Sequence, residues 1–228
     1  MSTYIPATGP ANLIPPGFAG EDEHRLRSAT TTVVEDDPKL GLSYVLGVFG
    51  STTLTAIHPD SHQISGCYLD ENSRASATVW AQDKNQAGYN LYFAANRPKP
   101  GLAKKASKQD IHSITAVYGD IDAKDGRTME EALSAVLRIQ PAPSLIIMSG
   151  GGYQPIWMLR KPLLVTPENI RRAEGIGRRI AAEAGGDAVQ NIDRILRVPF
   201  TRNFPDAKKR AAGREVCLSG IVVMGDQH

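Results

Sequence analysis

The fold of this chain is decided by residues 114–122, which read ITAVYGDID. β-Branched and aromatic side chains dominate the segment, which predicts a strand over residues 114–121. Gly126 then breaks the extended structure. Because side chains alternate between the two faces of a strand, Asp120 and Asp122 are expected to project to the same side. The segment therefore predicts two carboxylates, here called the acidic pair, on one face of a sheet.

The acidic pair fits a hard divalent cation. Adjacent carboxylates raise each other's pKa unless a cation neutralises them, and Mg²⁺ prefers carboxylate oxygens as ligands. A solvated strand end is the alternative interpretation, because the turn Lys124-Asp125-Gly126 follows directly. The pair alone leaves both interpretations open.

Apolar runs on both sides of this segment predict an alternation of strands and helices. The runs predicted as strands are residues 44–49, 54–57, 64–69, 89–94, 145–148, 153–159, 195–199 and 216–223. A helix is predicted for residues 76–86, and a second one follows Thr128, which forms a capping box with Glu131. Thr166 before a proline predicts the start of the longest helix, which ends at Gly185. The outer face of that helix carries four arginines, Arg171, Arg172, Arg178 and Arg179.

The composition is that of an ordinary globular chain, with 228 residues, 41% hydrophobic and 22% charged. Disorder is excluded for most of it, although residues 1–38, rich in Pro and Gly, are expected to be a flexible leader before one domain over residues 39–228. The net charge of +2 is too small for the chain as a whole to attract a polyanion. Any contact with nucleic acid must therefore come from local clusters of basic residues. No apolar run approaches the roughly 18 residues of a membrane span, and no signal-peptide pattern opens the chain, which predicts a cytoplasmic location without a membrane partner.

Several metal and nucleotide frameworks are excluded by spacing. Cys67 and Cys217 lie far apart and outside any CxxC pattern, so neither a zinc ribbon nor a disulfide framework is available. His58 and His62 have a spacing that suits a metal on a helix, but Pro59 and its neighbours predict a turn between them. The chain also lacks a GxxxxGK[ST] run and therefore a P-loop motor.

A glycine-rich connection, Ser149-Gly150-Gly151-Gly152, follows the predicted buried strand over residues 145–148. The strand over residues 153–159 is its predicted partner, in a hairpin around Gly150, Gly151 and Gly152. Glycines permit a close backbone approach to a ligand, and consecutive free amides form anion-binding nests, so a triphosphate would fit there. A flexible hairpin loop is the alternative interpretation.

A third polar segment leads into the predicted strand over residues 195–199. It contains Asp193, Arg194 and Arg197. Guanidinium groups suit phosphate oxygens, and Asp193 would complete a metal site. The alternative is an ion pair on the surface at the start of a strand, which contributes little to stability.

The order and character of these three segments resemble the archaeo-eukaryotic primase superfamily, specifically the primase-polymerase domains of plasmid and phage replication proteins. Asp120-Ile121-Asp122 matches the first motif of the family. Ser149-Gly150-Gly151-Gly152-Tyr153-Gln154 with Trp157 matches the second, and Asp193-Arg194 running into Arg197-Val198-Pro199 matches the third. The resemblance covers approximately residues 40–223. It implies an α+β primase-polymerase fold with a recognition-motif-like (RRM-like) palm and a second small α/β subdomain.

The resemblance also implies an activity, which is metal-dependent and template-directed nucleotidyl transfer from dNTPs or NTPs in DNA replication. Two Mg²⁺ or Mn²⁺ ions would be held by Asp120, Asp122 and Asp193. The incoming nucleotide would be bound by Ser149, Gly150, Gly151, Gly152, Gln154, Arg194 and Arg197. Single-stranded DNA template would contact Lys104, Lys105 and Lys108, although a solvated loop is an equal alternative for these lysines. A replicative helicase, in cis or in trans, is the expected partner.

Two departures from the family pattern affect these assignments. Gln154 stands where many relatives have histidine, so it would contact phosphate without charge. Phe200 stands where relatives tend to have glycine.

Asp187 is an alternative to Asp193 as the third carboxylate of the metal site, and the adjacency of Asp193 to Arg194 favours Asp193. Two rival functions are a non-catalytic replication-initiation or DNA-binding module that keeps the palm, and a nucleotidyl cyclase that needs no template.

Overall fold

The structure, a computed structural model, describes residues 29–32, 36–188 and 190–224. Its helices are α1 (Pro38–Phe49), α2 (Arg74–Gln86), α3 (Met129–Leu137), α4 (Pro167–Ala184) and α5 (Ala207–Ala211). Its strands are β1 (Ala29–Thr32), β2 (Thr52–Ile57), β3 (Ile64–Leu69), β4 (Asn90–Ala94), β5 (Arg97–Pro98), β6 (Ile111–Tyr118), β7 (Ile121–Asp122), β8 (Leu145–Met148), β9 (Gly152–Leu164), β10 (Ile195–Arg197), β11 (Arg202–Asn203), β12 (Cys217–Leu218) and β13 (Gly220–Met224). Most of the expected leader, residues 1–28 and 33–35, lies outside the described residues, whereas residues 29–32 within it form β1.

The strands form a larger and a smaller antiparallel sheet. The larger sheet has the order β1-β13-β8-β9-β6-β5, with β7 also pairing with β9. The smaller sheet has the order β10-β4-β2-β3, and β11 and β12 form a separate short ladder. Antiparallel sheets with helices packed against them constitute the α+β class.

Two apolar cores separate the layers of the molecule. Ala116 and Tyr118 of β6 belong to a core that also contains α1, α2 and the smaller sheet. Val117 of the same strand and Ile121 of β7 belong to the second core, under α3 and α4. The larger sheet is therefore covered by α3 and α4 on one face and by the smaller sheet with its helices on the other. No described helix is long and apolar enough to cross a membrane.

Local signals in the sequence account for the ends of the helices. The capping box of α3 is formed as predicted, with the amide of Glu131 donating to the Thr128 hydroxyl at 3.2 Å and the Thr128 amide donating to the Glu131 carboxylate at 2.8 Å. Thr166 caps α4 by accepting from the amide of Asn169 at 3.2 Å, and Gly185 ends the helix in the left-handed conformation. These predictions are confirmed.

The strand prediction for residues 44–49 is wrong, because these residues form the second half of α1. Asp37 caps this helix by accepting from the amide of Leu40 at 3.1 Å, and Pro38 occupies the first turn. The apolar run is buried between α2 and the smaller sheet, and periodicity alone does not distinguish a buried helix from a buried strand.

The strand predicted for residues 114–121 is interrupted at Gly119 and Asp120. The amide of Gly119 donates to the carbonyl of Pro155 at 3.0 Å, and pairing with β9 resumes when Ile121 lies opposite Tyr153. The acidic pair therefore lies at a break in the strand.

Candidate active site

The first and second predicted motifs are brought together by strand pairing. Asp122 lies opposite Gly152 in the ladder between β7 and β9. A β-carbon at Gly152 would overlap the carbonyl of Ile121 and the backbone of Asp122, so only glycine allows this approach. The glycine-rich connection and the acidic pair are neighbours because of this close contact.

The carboxylate of Asp120 is held by two side chains. Arg194 Nη2 donates to Asp120 Oδ2 at 2.9 Å, and Gln154 Nε2 donates to Asp120 Oδ1 at 3.4 Å. The other end of the Gln154 amide accepts from the backbone amide of Arg197 at 2.9 Å, and the Gln154 side chain is only 5% exposed. Gln154 therefore contacts protein atoms at both ends and orients Asp120 relative to β10.

The electrostatic environment of Asp122 is that of a crowded carboxylate. Burial raises the pKa of Asp122, and the charges of Asp120 and Asp187 raise it further, against the opposing charges of Lys124 and Arg214. The amide of Asp187 donates to the Asp120 carbonyl at 3.0 Å, and its carboxylate forms an ion pair with Lys124. Asp187 therefore shares the charge environment of the acidic pair.

Asp193 has different neighbours. It lies in the turn before β10, where the amide of Arg194 donates to the Asn191 carbonyl at 2.9 Å. Burial raises the pKa of Tyr118, and the Asp193 carboxylate contributes to this increase. Asp193 Oδ1 is buried without a hydrogen-bond partner in the described part of the chain. The carboxylate of Asp193 therefore lies beside the Tyr118 phenol, and its neighbour Arg194 is the residue that reaches the acidic pair.

A pocket of about 640 Å³ opens beside the glycine-rich connection. Its walls combine Ala123, Gly150 and Gly151 with residues of the smaller sheet and of the segment around α5. Two further lining residues are basic and come from that segment, Lys209 and Arg214.

Arg197 is the buried cation of the pocket wall. Its side chain is 7% exposed, its Nη2 donates to Asn203 Oδ1 at 2.8 Å, and its guanidinium carbon lies 4.3 Å from the centre of the Tyr92 ring. Its Nε and Nη1 are buried and find no hydrogen-bond partner among the residues described. Unsatisfied buried donors are costly, and Arg197 therefore has hydrogen-bonding capacity that the described residues do not use.

The glycine-rich connection presents amides rather than a hydroxyl. Ser149 Oγ donates to the Gly152 carbonyl at 3.1 Å, so the hydroxyl is already bonded. The amides of Gly150 and Gly151 donate to no protein atom within residues 36–188 and 190–224, and both residues line the pocket. This part of the predicted nucleotide site is therefore available through its backbone.

Arg214 is a candidate binding residue that the sequence analysis did not single out. Its guanidinium lies against Gly151, where a β-carbon would overlap Nη1, and Nη2 donates to the Ala123 carbonyl at 3.3 Å. Its charge also lowers the pKa of Asp122. The basic run 208–210 nearby was a signal, but the fold is needed to place Arg214 between the acidic pair and the pocket.

The predicted DNA-binding lysines lie apart from the lining of this pocket, and two of them are ion-paired. Lys104 Nζ is 3.5 Å from Asp110 Oδ2, and Lys108 pairs with Glu174 of α4. Lys105 is exposed. The local positive charge of this cluster is therefore smaller than the sequence suggests.

The backbone conformation at Phe200 explains why glycine suits this position. Its φ is +60°, the left-handed region that glycine adopts at little cost and that a bulky residue rarely occupies. The ring is 1% exposed and packs edge-on against Tyr44, with ring centroids 6.4 Å apart. Burial of the ring offsets a strain of about 1–2 kcal/mol, so glycine fits this position for its backbone while phenylalanine adds to the core.

The fold is similar to that of two solved structures. One is a crystal structure of primase RepB', with a TM-score of 0.55 and 13% identity, and the similarity covers 83% of this chain and 56% of that chain. The other is the catalytic domain of primase RepB' in complex with initiator DNA, with a TM-score of 0.55 and 15% identity, covering 80% of this chain and 84% of that one. No protein-family model and no curated protein matches the sequence. The chain thus spans 56% of the first structure's length, and its α+β fold, which the resemblance predicted, is similar to the fold of these two structures.

Proposed function

We propose that this chain is a primase-polymerase, which transfers nucleotidyl groups from dNTPs or NTPs to make or extend primers on a DNA template. One observation carries the proposal: the acidic pair lies beside a pocket lined by Gly150 and Gly151, whose amides lack a partner among the described residues, and by the buried Arg197. Carboxylates next to an anion-binding wall suit a triphosphate accompanied by divalent cations. The similarity of the fold to that of primase RepB' supports nucleotidyl transfer by analogy.

The residues present fit Mg²⁺ or Mn²⁺ as a site completed by substrate. No group of three His, Cys, Asp or Glu forms a ready metal cage within the described residues. Mg²⁺ is commonly bound by one or two carboxylates together with water and phosphate oxygens, and Asp120 and Asp122 supply such carboxylates. Asp187 and Asp193 are the alternatives for a third. When bound, the ions would activate a primer 3′-hydroxyl and stabilise the departing pyrophosphate.

The protein residues would position the reactants. Arg194 and Gln154 hold the carboxylate of Asp120 in place through hydrogen bonds to its two oxygens. The amides of Gly150 and Gly151 and the donors of Arg197 would hold the phosphates of the incoming nucleotide, and the charge on Lys209 and Arg214 would stabilise them. Single-stranded template would reach the site through the pocket beside the glycine-rich connection.

Incorporation of labelled nucleotide on primed and unprimed single-stranded DNA tests the proposal. We expect Asp120→Asn and Asp122→Asn to reduce incorporation by at least about a hundredfold, because each removes a carboxylate from the reacting centre. Asp125→Asn is the matched control, since Asp125 is exposed in the following turn at φ +55°, which asparagine tolerates. Full activity in both acidic-pair variants would refute the assignment.

A non-catalytic DNA-binding module is the second candidate, and the ion pair between Arg194 and Asp120 favours it because the arginine competes with a cation for that carboxylate. This candidate predicts DNA binding without incorporation under any metal condition. A nucleotidyl cyclase would instead yield a cyclic product without template. The chain has no P-loop motif, so opening of the DNA duplex would be the task of a helicase, either in cis or in trans.

A further inference from the structure

Helix α4 presents an arginine-rich face to solvent on the side of the larger sheet that is remote from the smaller sheet. The exposed arginines are Arg171, Arg172, Arg178 and Arg179. At 3.6 residues per turn they form two rows, one of Arg171 and Arg178 and the other of Arg172 and Arg179, with about 10 Å along the axis between the members of each row. Gly175 and Ala182 lie between the rows, so small side chains separate two lines of guanidinium groups.

The positive charge of this face is not neutralised by the described residues. None of the four arginines forms an ion pair or hydrogen bond with another described residue. The acid beside the first row, Glu174, is 12% exposed and is occupied from the inner side, where it pairs with Lys108 and accepts from the Ile192 amide at 3.2 Å. Glu168 and Glu183 are the exposed acids of the helix, so the four arginines leave a net positive face.

The arrangement of the face points to an extended polyanion. Guanidinium groups bind phosphate oxygens through paired donors, and exposed arginine side chains that lack partners remain free to do so. Two parallel rows with small residues between them accommodate a chain of phosphates along the helix, whereas a single phosphate needs donors that converge in a pocket. We propose that the outer face of α4 binds the sugar–phosphate backbone of DNA outside the candidate active site.

The position of α4 makes this contact dependent on DNA length. Its buried residues, including Ala173 and Ile180, pack in the core with Val117, across the sheet from the core that faces the smaller sheet. Because the residues that line the pocket do not include any of α4, a short strand bound at the pocket is expected to leave α4 uncovered, whereas a longer strand would extend beyond the pocket and over α4. The inference rests on the proposed function only in taking DNA as the partner, and it does not require turnover.

Fluorescence anisotropy with labelled single-stranded DNA of about 8 and about 40 nucleotides, without nucleotide or metal, tests the proposal over a range of salt concentrations. In the variant with glutamine at all four arginine positions, we expect at least tenfold weaker binding of the long DNA. The slope of log K against log salt should fall by up to about 3, since each lost phosphate contact removes about 0.7. Binding of the short DNA should stay unchanged. Lysine at all four positions should preserve the slope, because it keeps the charge.

A charge-matched control separates this surface from a general effect of net charge. Arg171→Gln/Arg178→Gln is compared with Lys39→Gln/Lys84→Gln, whose lysines lie on α1 and α2 next to the other sheet. Equal losses in the two double variants, or an unchanged salt slope in the quadruple glutamine variant, would overturn the proposal. A long duplex of the same length distinguishes single-stranded from duplex backbone. Absence of incorporation by the wild-type protein, together with the expected loss of slope, would refute the enzymatic proposal alone.

Discussion

Replacing Asp122 by asparagine should change stability and catalysis in opposite directions. Burial raises the pKa of Asp122, and the charges of Asp120 and Asp187 raise it further. Two unit charges about 7 Å apart repel by about 2 kcal/mol at an effective dielectric constant of about 20. Asp122 is half-buried, so solvent screening reduces the repulsion by Asp120 to about 1 kcal/mol. Asp122→Asn removes that repulsion, and in a chain of this length the metal-free melting temperature should rise by about 2–4 °C.

The dependence on pH and metal provides the assay. Because the folded state raises the pKa of Asp122, the penalty is absent at a pH below the ordinary carboxyl range near 4 and complete once the pH exceeds the raised value. The advantage of Asp122→Asn in thermal melting should therefore appear as the pH rises from about 3 to 7. A cation at ten times its Kd stabilises the wild type by about 1.4 kcal/mol, so Mn²⁺ should reverse the order of the two proteins. Two results would refute this reasoning: an Asp122→Asn protein that melts below the metal-free wild type at pH 7, or one whose melting temperature rises as much with Mn²⁺ as that of the wild type. The control Asp125→Asn should behave like wild type.

Three further predictions concern the third carboxylate, the pocket wall and the cap of α3. Asp187→Ala should reduce incorporation at least tenfold more than Asp193→Ala, because the Asp187 charge raises the pKa of Asp122, and the opposite order would assign the third carboxylate to Asp193. Gly151→Ala should raise KM for the nucleotide about tenfold with a smaller effect on kcat, because the new β-carbon displaces the Arg214 guanidinium, and an unchanged KM would exclude Arg214 from phosphate binding. Thr128→Ala should lower the melting temperature by about 2–4 °C without altering KM, since it removes a capping box of about 1 kcal/mol, and a changed KM at low temperature would contradict a purely local role.

The features predicted correctly from sequence depend on residues close together in the chain. The capping box at Thr128, the N-cap at Thr166 and the hairpin around Gly151 each need only a few neighbouring residues, and all three are present. The helix over residues 44–49 was missed because so short an apolar run has no distinctive period. Strand order and the pairing of β1 with the last strand depend on long-range contacts that local patterns do not encode.

The candidate site was predictable to the same degree. The acidic pair and the glycine-rich connection were found because each is a short motif, and strand pairing places them together. Gln154 and Arg214 required the fold: the amide of Gln154 connects Asp120 to β10, and Arg214 comes from a segment about 90 residues beyond the Ala123 carbonyl that it contacts. Local sequence patterns do not predict contacts between residues that are so far apart in the chain.

The glycine triplet illustrates how a binding signature can arise from packing. A β-carbon at Gly150 would overlap Sγ of Cys217, one at Gly151 would overlap Arg214, and one at Gly152 would overlap the backbone of β7. Each glycine therefore has a different neighbour, which is a movable side chain at Gly151 and backbone at Gly152. The backbone at Gly150 also adopts φ +95°, which disfavours other residues. Substitutions along the triplet should consequently have distinct effects: at Gly152 on the position of the acidic pair, at Gly151 on a phosphate-binding cation, and at Gly150 on the turn itself.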